Sequence, residues 1–530
     1  MAFRCSSCNG SVTFDVETQQ MKCAHCGSVF APESFQVRDR GTRGEGADLA
    51  VFQCGGCGAE LESTEDSMVG FCPSCGGQSV LNTDRAGRAA PERLIPFQIT
   101  REQSAARYRS FAGRVPYLPK EMKDPDHLQS FTGIYMPYYE YDVEFGESSL
   151  EGTKEVENHL SYKVVNTYQL DAQLEGTYRG VPYDASRYLD DEIAARTLPY
   201  DTAAERDYHP AYLAGFYADA ATVEGDLYLD DARKQAVSDV VDEVAAKVKA
   251  DSGIEVNKGS AKVEATNRGR HRVLYPMWFL TWQRGDRVAY AVVNGQSGKV
   301  VSDLPLDMKA FALGCGGISA ALFAVLELLF QPTPMLTSTL SLVAAFLMAL
   351  ALRSGTKSIF EKQTHAKDKG WSGGDASEEP EAAPEPFAEQ REERGTTQRK
   401  KKTSPKTVLL AIPVLLLIFA GTGAYQAGKI SMGMIVAVVV LITALAVFRR
   451  VSSWQKDIPE KEPKKAALIL LAAVILNVAV VFISPVSDLW YYLGDAVCIA
   501  GLIFASVGIL RTYNVGTTRP MPKLFDRKEV

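Results

Sequence analysis

After Leu306 the chain carries six apolar windows, and nothing else in it restricts the possible folds as severely. They run from about Ala310 to Phe330, Met335 to Leu352, Thr407 to Tyr425, Met432 to Phe448, Ala466 to Ser484 and Tyr491 to Leu510. Each approaches the ~20 residues that a helix needs to cross a hydrocarbon layer of about 30 Å. Backbone amides have no water to bond in that layer, so the windows are expected to be helices. The first 300 residues, in contrast, read as water-soluble protein.

Charge placement orients the spans. The segment Arg353–Lys406 contains "RKKK", the loop after the fourth window begins "RR" and ends "KEPKK", and the tail holds Arg511, Arg519, Lys523, Arg527 and Lys528. "QPTP" and "SPVSDLW" have no Lys or Arg, and "QAGKIS" has only Lys429. Basic loops stay in the cytosol, so both termini and the long linker are expected there, in a multi-pass protein of the cytoplasmic membrane. The first residues, Met1 to Cys8, lack a basic start and an apolar run, which agrees with an untranslocated N-terminus.

Eight of the ten cysteines lie in the first 75 residues as CxxC pairs. Cys5 and Cys8 precede Cys23 and Cys26 by fourteen residues, and Cys54 and Cys57 precede Cys72 and Cys75 by the same gap. Each CxxC aims two thiolates at one point, and two such turns complete a tetrahedron of soft ligands that suits Zn2+. "SVTFDV" and "AELEST" between the pairs alternate like hairpin strands. The expectation is two zinc ribbons, each with a closed and therefore structural four-cysteine site. His25, inside a knuckle, reads as a polar neighbour because four cysteines already fill the site. A disulfide or redox reading is weaker, since redox CxxC motifs come singly beside a βαβ pattern. Cys315 and Cys498 fall in apolar segments and read as small buried side chains.

Nucleic acid is an unfavourable partner for these ribbons. Residues 1–80 hold five Lys or Arg against ten Asp or Glu, and the whole chain has a net charge of -7. Each four-thiolate site adds a charge of about -2. Such a surface repels phosphates.

Between the ribbons and the spans, residues 91–306 read as a mixed α+β domain. "LIPFQI" looks like a strand and "TREQSAARYRSFAGR" like a helix capped by Thr100. In "DARKQAVSDVVDEVAAKVKA" the residues Val237, Val240, Val241, Val244 and Val248 form one apolar stripe that should face a core. "GIYMPYYEYDVEF" and "RVLYPMWFLTWQR" both place Pro among aromatics at the start of an expected strand, an echo consistent with internal duplication, and Asn294-Gly295 proposes a turn that Gly298 would lengthen. No phosphate loop, GxSxG elbow or HExxH pair occurs, so the chain is expected not to be an enzyme. His127, His159, His209 and His271 share no spacing, and the acidic runs around Asp190 and Asp230 read as solvated or helix-start carboxylates.

The domain plan is therefore a first ribbon over 1–36, a second over 50–82, the α+β domain over 91–306 and a two-span hairpin over 310–352. A disordered charged linker follows over 353–406, then four spans over 407–510 and a cytosolic tail over 511–530. Membrane-embedded polar residues are few: Glu327 and Asp495 near outer ends, and Asn477 within a span. A transporter or channel component is thus an alternative to a scaffold, and a membrane-tethered nucleic-acid-binding regulator is a third.

The paired knuckles, "GIYMPYYEYD", "VPYDASRYLDDE", "PAYLAGFYAD" and "LYPMWFLTWQRGDRVAYAVVNGQSGKVVSDLP" resemble bacterial membrane proteins called TFIIB-type zinc-ribbon-containing proteins, some of which carry helicase labels. The resemblance runs from Cys5 to the first spans; the linker and the last four spans depart from the pattern. Members are often encoded beside phage-shock-A-like and SPFH-domain proteins. The resemblance therefore implies a non-enzymatic membrane scaffold that recruits such protein partners in envelope stress. A helicase would need the phosphate loop that is missing here.

Overall fold

A computed structural model describes residues 5–35, 50–53, 60–63, 69–71, 78–80, 82–84, 91–158, 163–186, 189–219, 221–284, 287–329, 333–364, 368–370, 432–454 and 462–520. These form two compact units. One is built on the chain up to Leu304 and also holds Asp368–Gly370 and Thr518–Pro520; the other comprises the helical remainder from Pro305 to Thr517.

The first unit opens with β1 (Val12–Asp15), β2 (Gln20–Cys23) and β3 (Val29–Phe30), a small antiparallel sheet of its own. Next come β4 (Ala50–Gln53), β5 (Glu60–Ser63), β6 (Val69–Phe71), β7 (Gln78–Val80) and β8 (Asn82–Asp84). The α+β part contributes β9 (Arg93–Leu94), α1 (Arg101–Arg114), β10 (Thr132–Asn158), β11 (Lys163–Asp184), α2 (Asp191–Thr197), β12 (Arg206–Asp207) and β13 (Tyr217–Asp219). It continues through α3 (Leu229–Ser252), β14 (Glu255–Val256), β15 (Lys262–Arg284), β16 (Arg287–Asn294) and β17 (Val300–Ser302), and β18 (Arg519–Pro520) pairs with β16.

β10 is 27 residues long and would extend roughly 90 Å if flat, far beyond an ordinary strand. Its sequence explains how it is covered. The first half, through "GIYMPYYEY", is apolar almost without interruption and buried on both faces, whereas "DVEFGESSLEG" alternates and wets one face. Register shifts against β11 at Tyr141/Val143, Phe145/Glu147 and Glu155/Glu157 bend and twist the ribbon.

The two echoing segments are direct antiparallel neighbours, with Met136 opposite Tyr275, Pro137 opposite Leu274 and Tyr135 opposite Pro276. Around that centre the hydrogen bonds repeat. Pro137 O accepts from Ala185 N, and Ala185 O accepts from Thr222 N and Val223 N; Pro276 O accepts from Gly295 N, and Gly295 O accepts from Gln98 N and Ile99 N. Parallel partners repeat as well: β13 joins β10 at Ile134/Tyr217 and Tyr135/Ala218, while β9 joins β15 at Val273/Arg93 and Leu274/Leu94. The domain is thus two interlocked strand–helix–hairpin repeats, and each lends its first strand to the other. Proline survives in these central strands because it keeps a carbonyl that can accept, even though it cannot donate.

Alternation sends Tyr135, Leu274, Trp278, Leu280 and Trp282 to one face, under α1, and Ile134, Met136, Tyr138, Val273, Tyr275 and Met277 to the other, against α2. α1 begins with a full capping box between Thr100 and Gln103, as its sequence indicates. In α3 the buried line is Ala232, Ala236, Val241 and Ala245, and Val244 and Val248 are only half-buried. Of the valine stripe, Val241 is in this buried line and Val237 and Val240 pack against the core beside it, while Val244 and Val248 form the rim; the alanines allow the helix to approach the strands closely. Asn294 closes the β16–β17 connection by accepting from Gln296 N and Ser297 N, and Gly298 at φ 73° makes the loop the longer kind.

The second unit holds α4 (Met308–Leu329), α5 (Pro334–Gln363), α6 (Met432–Trp454), α7 (Glu462–Ile483) and α8 (Asp488–Gly516). Four helices, Pro334–Lys362, Met434–Trp454, Glu462–Ile483 and Asp488–Gly516, are long and apolar enough to cross a membrane, which makes this a membrane protein. Of the other two expected spans, the first is helical as α4, whose stretch Met308–Leu322 falls short of that criterion, and Thr407–Tyr425 lies outside the described residues.

Two expected boundaries are corrected. The helix does not end at Leu352 but runs through Arg353–Gln363, where Thr356 Oγ1 donates to Leu352 O and Ile359 packs with Trp454; residues 371–406 of the expected linker lie outside the described set. The tail is not free from Arg511 onward, because α8 continues to Gly516 and Arg519–Pro520 joins β16.

α8 meets α7 through glycines one heptad apart. A Cβ on Gly501 would lie 2.7 Å from Ala473 Cβ, one on Gly508 2.6 Å from Ala466 Cβ, and one on Gly494 3.4 Å from Val480 Cγ2. Small residues let two backbones approach where lipid provides no hydrophobic drive between helices. Gly501→Val should force the pair apart and cost about 1–3 kcal/mol, read as a lower melting temperature in detergent. Gly317→Val in α4, where a Cβ meets nothing within 4 Å, should leave that temperature unchanged.

Candidate metal centre

The first ribbon brings Cys5, Cys8, Cys23 and Cys26 together, with all four sulfurs within 4.8 Å of one another. Cys5 and Cys26 sulfurs are 3.6 Å apart, and those of Cys8 and Cys23 3.5 Å. A disulfide holds sulfurs at about 2.05 Å, so none of these pairs is bonded. A tetrahedron with metal–sulfur bonds of about 2.3 Å has edges of about 3.8 Å, within a few tenths of an ångström of these two pairs and inside the 4.8 Å that bounds the whole set. The thiols therefore fit a metal ion.

The two knuckles are built alike. Asn9 N donates to Cys5 O at 2.8 Å and Gly27 N to Cys23 O at 3.0 Å; Cys5 N donates to Gly10 O at 2.8 Å and Cys23 N to Ser28 O at 2.9 Å. The residue after each second cysteine is left-handed, Asn9 at φ 59° and Gly27 at φ 72°, the conformation that Gly and Asn tolerate best. Ser28 hydrogen bonds, through its hydroxyl at 3.2 Å and its N–H, pull the Cys26 thiol down to about 6 and so toward the thiolate a metal needs. Gly10 packs between the sulfurs: a Cβ there would lie 3.3 Å from both Cys8 Sγ and Cys23 Sγ and 3.0 Å from His25 Cβ. His25 is outside the sulfur cluster, as its place in the knuckle suggests.

The expected hairpin is present as β1 and β2, paired from Val12/Cys23 to Asp15/Gln20. Its inner face is not open. Cys5, Val12, Phe14, Met21 and Cys23 belong to the same buried cluster as Leu94, Phe97, Tyr108 and Trp278 of the α+β part. Phe14 N donates to Ala214 O at 2.9 Å, Gln19 Nε2 to Phe97 O at 2.7 Å, and Tyr212 Oη to Glu33 Oε1 at 2.6 Å, which holds the Glu33 carboxyl below its ordinary range. His209 Nδ1 accepts from Ala211 N at 3.3 Å, so the ring's proton sits on Nε2, which donates to Phe35 O at 3.1 Å. The first ribbon is one wall of the domain and not a free module.

In the second cysteine segment, β5 pairs with β4 and, at Tyr217/Ser63 to Asp219/Leu61, with β13, which adds the segment to the edge of the large sheet. β6 pairs with β7. Cys54, Cys57, Cys72 and Cys75 lie outside the described residues.

Sequence reasoning missed a polar cavity of about 690 Å³ lined by Arg93, Glu140, Glu205, Arg179, Arg268 and His271, among others. Glu140, 2% exposed, accepts from Tyr275 Oη at 2.5 Å, and Arg93 Nη1 donates to Glu205 Oε2 at 2.7 Å while lying 3.9 Å from Glu140 Oε2. Burial, reinforced by the adjacent Glu205 carboxyl, pushes Glu140 up to about 8. Tyr-rich strands conceal this pair because the one acidic residue in "YMPYYEY" looks like an edge position. His271 bridges Glu92 at 2.6 Å and Asp142 at 3.6 Å, and His127 contacts Thr281 O at 2.8 Å. His159 lies outside the described residues.

The acidic runs divide. Asp190 caps α2 by accepting from Glu192 N and Ile193 N, and Asp230 sits in the first turn of α3, both as expected for helix-start carboxylates. Their neighbours Asp191 and Asp231 instead converge with stacked Tyr183 and Tyr228, 4.9 Å apart at 16°, in a slot of about 370 Å³ that holds Lys369. Lys369 Nζ pairs with Asp231, Lys369 N donates to Asp191 Oδ2 at 3.2 Å, and Tyr228 Oη donates to the same carboxylate at 3.0 and 3.2 Å. A Cβ on Gly370 would lie 3.0 Å from Val223 Cγ2, so glycine permits this close approach.

No family model matches the chain and no solved structure resembles it. The uncharacterized protein YdjG of Bacillus subtilis (strain 168) is 26% identical over 333 residues, which are 62% of this chain and 97% of YdjG. About 38% of the chain therefore has no counterpart in that alignment.

Two outcomes are expected. Gly10→Val should wedge a side chain between the sulfurs and lower metal affinity, measured by competition with a chromogenic chelator, whereas Ser6→Ala at the exposed knuckle tip should not. Glu140 takes up a proton on folding because its native carboxyl titrates above the unfolded one. Stability should thus fall as pH rises from the ordinary carboxylate range to about 8, and Glu140→Gln should flatten that slope, read by amide exchange of β10 and β15 in the full chain.

Proposed function

We propose that this chain is a non-enzymatic, membrane-anchored zinc-ribbon adaptor that recruits a protein partner to the cytoplasmic face of the membrane. In this reading both cysteine modules hold zinc, six helices span, and the basic loops keep the termini, the ribbons and the linker cytosolic. Four thiolates leave a zinc ion no open position, so the metal would supply folding energy and not a reactive water. Support for zinc comes from the sulfur spacing of a four-thiolate set.

The observation that carries the recruiting role is the slot at Asp191, Asp231, Tyr183 and Tyr228. It already receives a lysine and its backbone N–H from a segment distant in sequence, which is how a domain reads a peptide. The Lys369–Asp231 pair is half-exposed and worth about 0–1 kcal/mol, so a partner's lysine could take its place. Partners of the phage-shock-A-like or SPFH-domain kind, and a role in envelope stress, are what the family resemblance adds. The docked first ribbon moves any ribbon-borne contact to its outer, solvent-facing edge or to the second module.

Full-length tagged protein from mild-detergent membranes provides the test, with metal analysis and mass spectrometry on one sample. About two zinc ions per chain and a stoichiometric partner that Asp231→Arg releases, with zinc retained, are expected. A partner that Asp231→Arg retains would remove the slot from the account. Zinc-replete protein with no partner would overturn the adaptor reading.

A further inference from the structure

The buried polar pair of the helical unit is left unused by an adaptor. Asn477 of α7 and Asp495 of α8 are far apart in the sequence pattern, one within a span and the other toward an end, yet Asn477 Nδ2 donates to Asp495 Oδ1 at 3.1 Å. They are 0% and 7% exposed. Among the described residues, Asp495 Oδ2 and Asn477 Oδ1 are both buried without a hydrogen-bond partner, and so is Ser338 Oγ of α5, in a residue 0% exposed.

Ser338 is level with this pair. α5 and α8 run parallel, because Cys498 Sγ donates to Ser341 O at 3.6 Å and Ser506 Oγ lies 3.9 Å from Met348 Sδ further along both helices. One turn back from Ser341 is Ser338, and about one turn back from Cys498 is Asp495. Asp495 is about 10 Å along α8 from its first residue, and Asn477 about 9 Å from the last residue of α7, which places both inside a hydrocarbon layer of about 30 Å.

Three oxygens on three helices thus lack a donor. A single amide bond cannot compensate an ionised carboxylate in so apolar a setting. No Lys, Arg or His occurs in Pro334–Leu352, Met432–Phe448, Ala466–Ile483 or Leu489–Leu510. The other titratable groups on those stretches are Tyr491, Tyr492 and Cys498 of α8 itself, and none of them carries positive charge. Among the described residues of these helices none supplies the compensating charge, which leaves solution as its source.

We propose that Asp495 Oδ2, Asn477 Oδ1 and Ser338 Oγ form an intramembrane site for a small monovalent cation, a sodium ion or a proton. Carboxylate, amide and hydroxyl oxygens are the hard donors that a sodium ion accepts. A proton on Asp495 Oδ2 would serve the same electrostatic end by turning an orphan acceptor into a donor. The site couples α5, α7 and α8, so its occupancy would set how tightly the three helices pack at that level.

Infrared spectroscopy of the full chain in lipid nanodiscs decides the matter, with sodium chloride exchanged for choline chloride from mildly acidic to mildly alkaline pH. A carboxylate band that moves with sodium, does not respond to choline, and is missing in Asp495→Asn identifies sodium; Ser338→Ala should weaken that response severalfold. A protonated-carboxyl band in choline, lost in Asp495→Asn, identifies the proton. An Asp495 carboxylate ionised throughout and indifferent to both ions overturns the proposal. The sodium and pH responses are read in the wild-type chain, so the test survives a variant that fails to insert.

Discussion

The antiparallel pairing of β10 with β15 around Met136 and Tyr275 supports everything else in the soluble unit. Two proline carbonyls, of Pro137 and Pro276, each anchor a tight connection that would otherwise leave the sheet, at Ala185 and at Gly295. Those two residues in turn fix the entries to α3 and α1 by accepting from Thr222 and Val223, and from Gln98 and Ile99. One geometry used twice gives each repeat a strand from the other. Neither repeat can bury its apolar face without its counterpart, since β9 and β13 both complete the neighbour's sheet.

The metal centre depends on that frame. Phe97, whose ring stacks on Phe216 at 4.4 Å, lies in the cluster that also receives Phe14, Met21 and the buried cysteines. A ribbon of this size has too little apolar area to hold itself together and relies on a metal. Here it relies on the domain as well, through Phe14 N, Gln19 and Glu33. A metal bound by the four cysteines would thus stabilise the same strands as the domain core, so loss of one cysteine would disturb packing beyond the ribbon.

In the helical unit the close-packed glycines of α8 and the Asn477–Asp495 pair lie on the same interface with α7. Backbones that approach closely exclude lipid and water. Exclusion of water is what makes an unpartnered carboxyl oxygen costly there, and what gives its occupancy mechanical consequence.

The sequence by itself determined the four-cysteine cluster of the first ribbon, the β1–β2 hairpin, the cap of α1 and four helices long and apolar enough to span a membrane. In each case the signal is local: thiol spacing fixes a knuckle, Thr100 caps its own helix, and an unbroken apolar run has few alternatives to a membrane helix. Tertiary structure alone decided that the ribbon is a wall of the domain, that α3 approaches chiefly on alanines, that Asp191 and Asp231 share a slot with Lys369, and that Asn477 meets Asp495. Those outcomes depend on which distant segments bury one another's surface. Residue spacing along one element carries no record of that; the paired prolines, which left a recognisable echo, are the exception because both copies had to satisfy the same hydrogen bond.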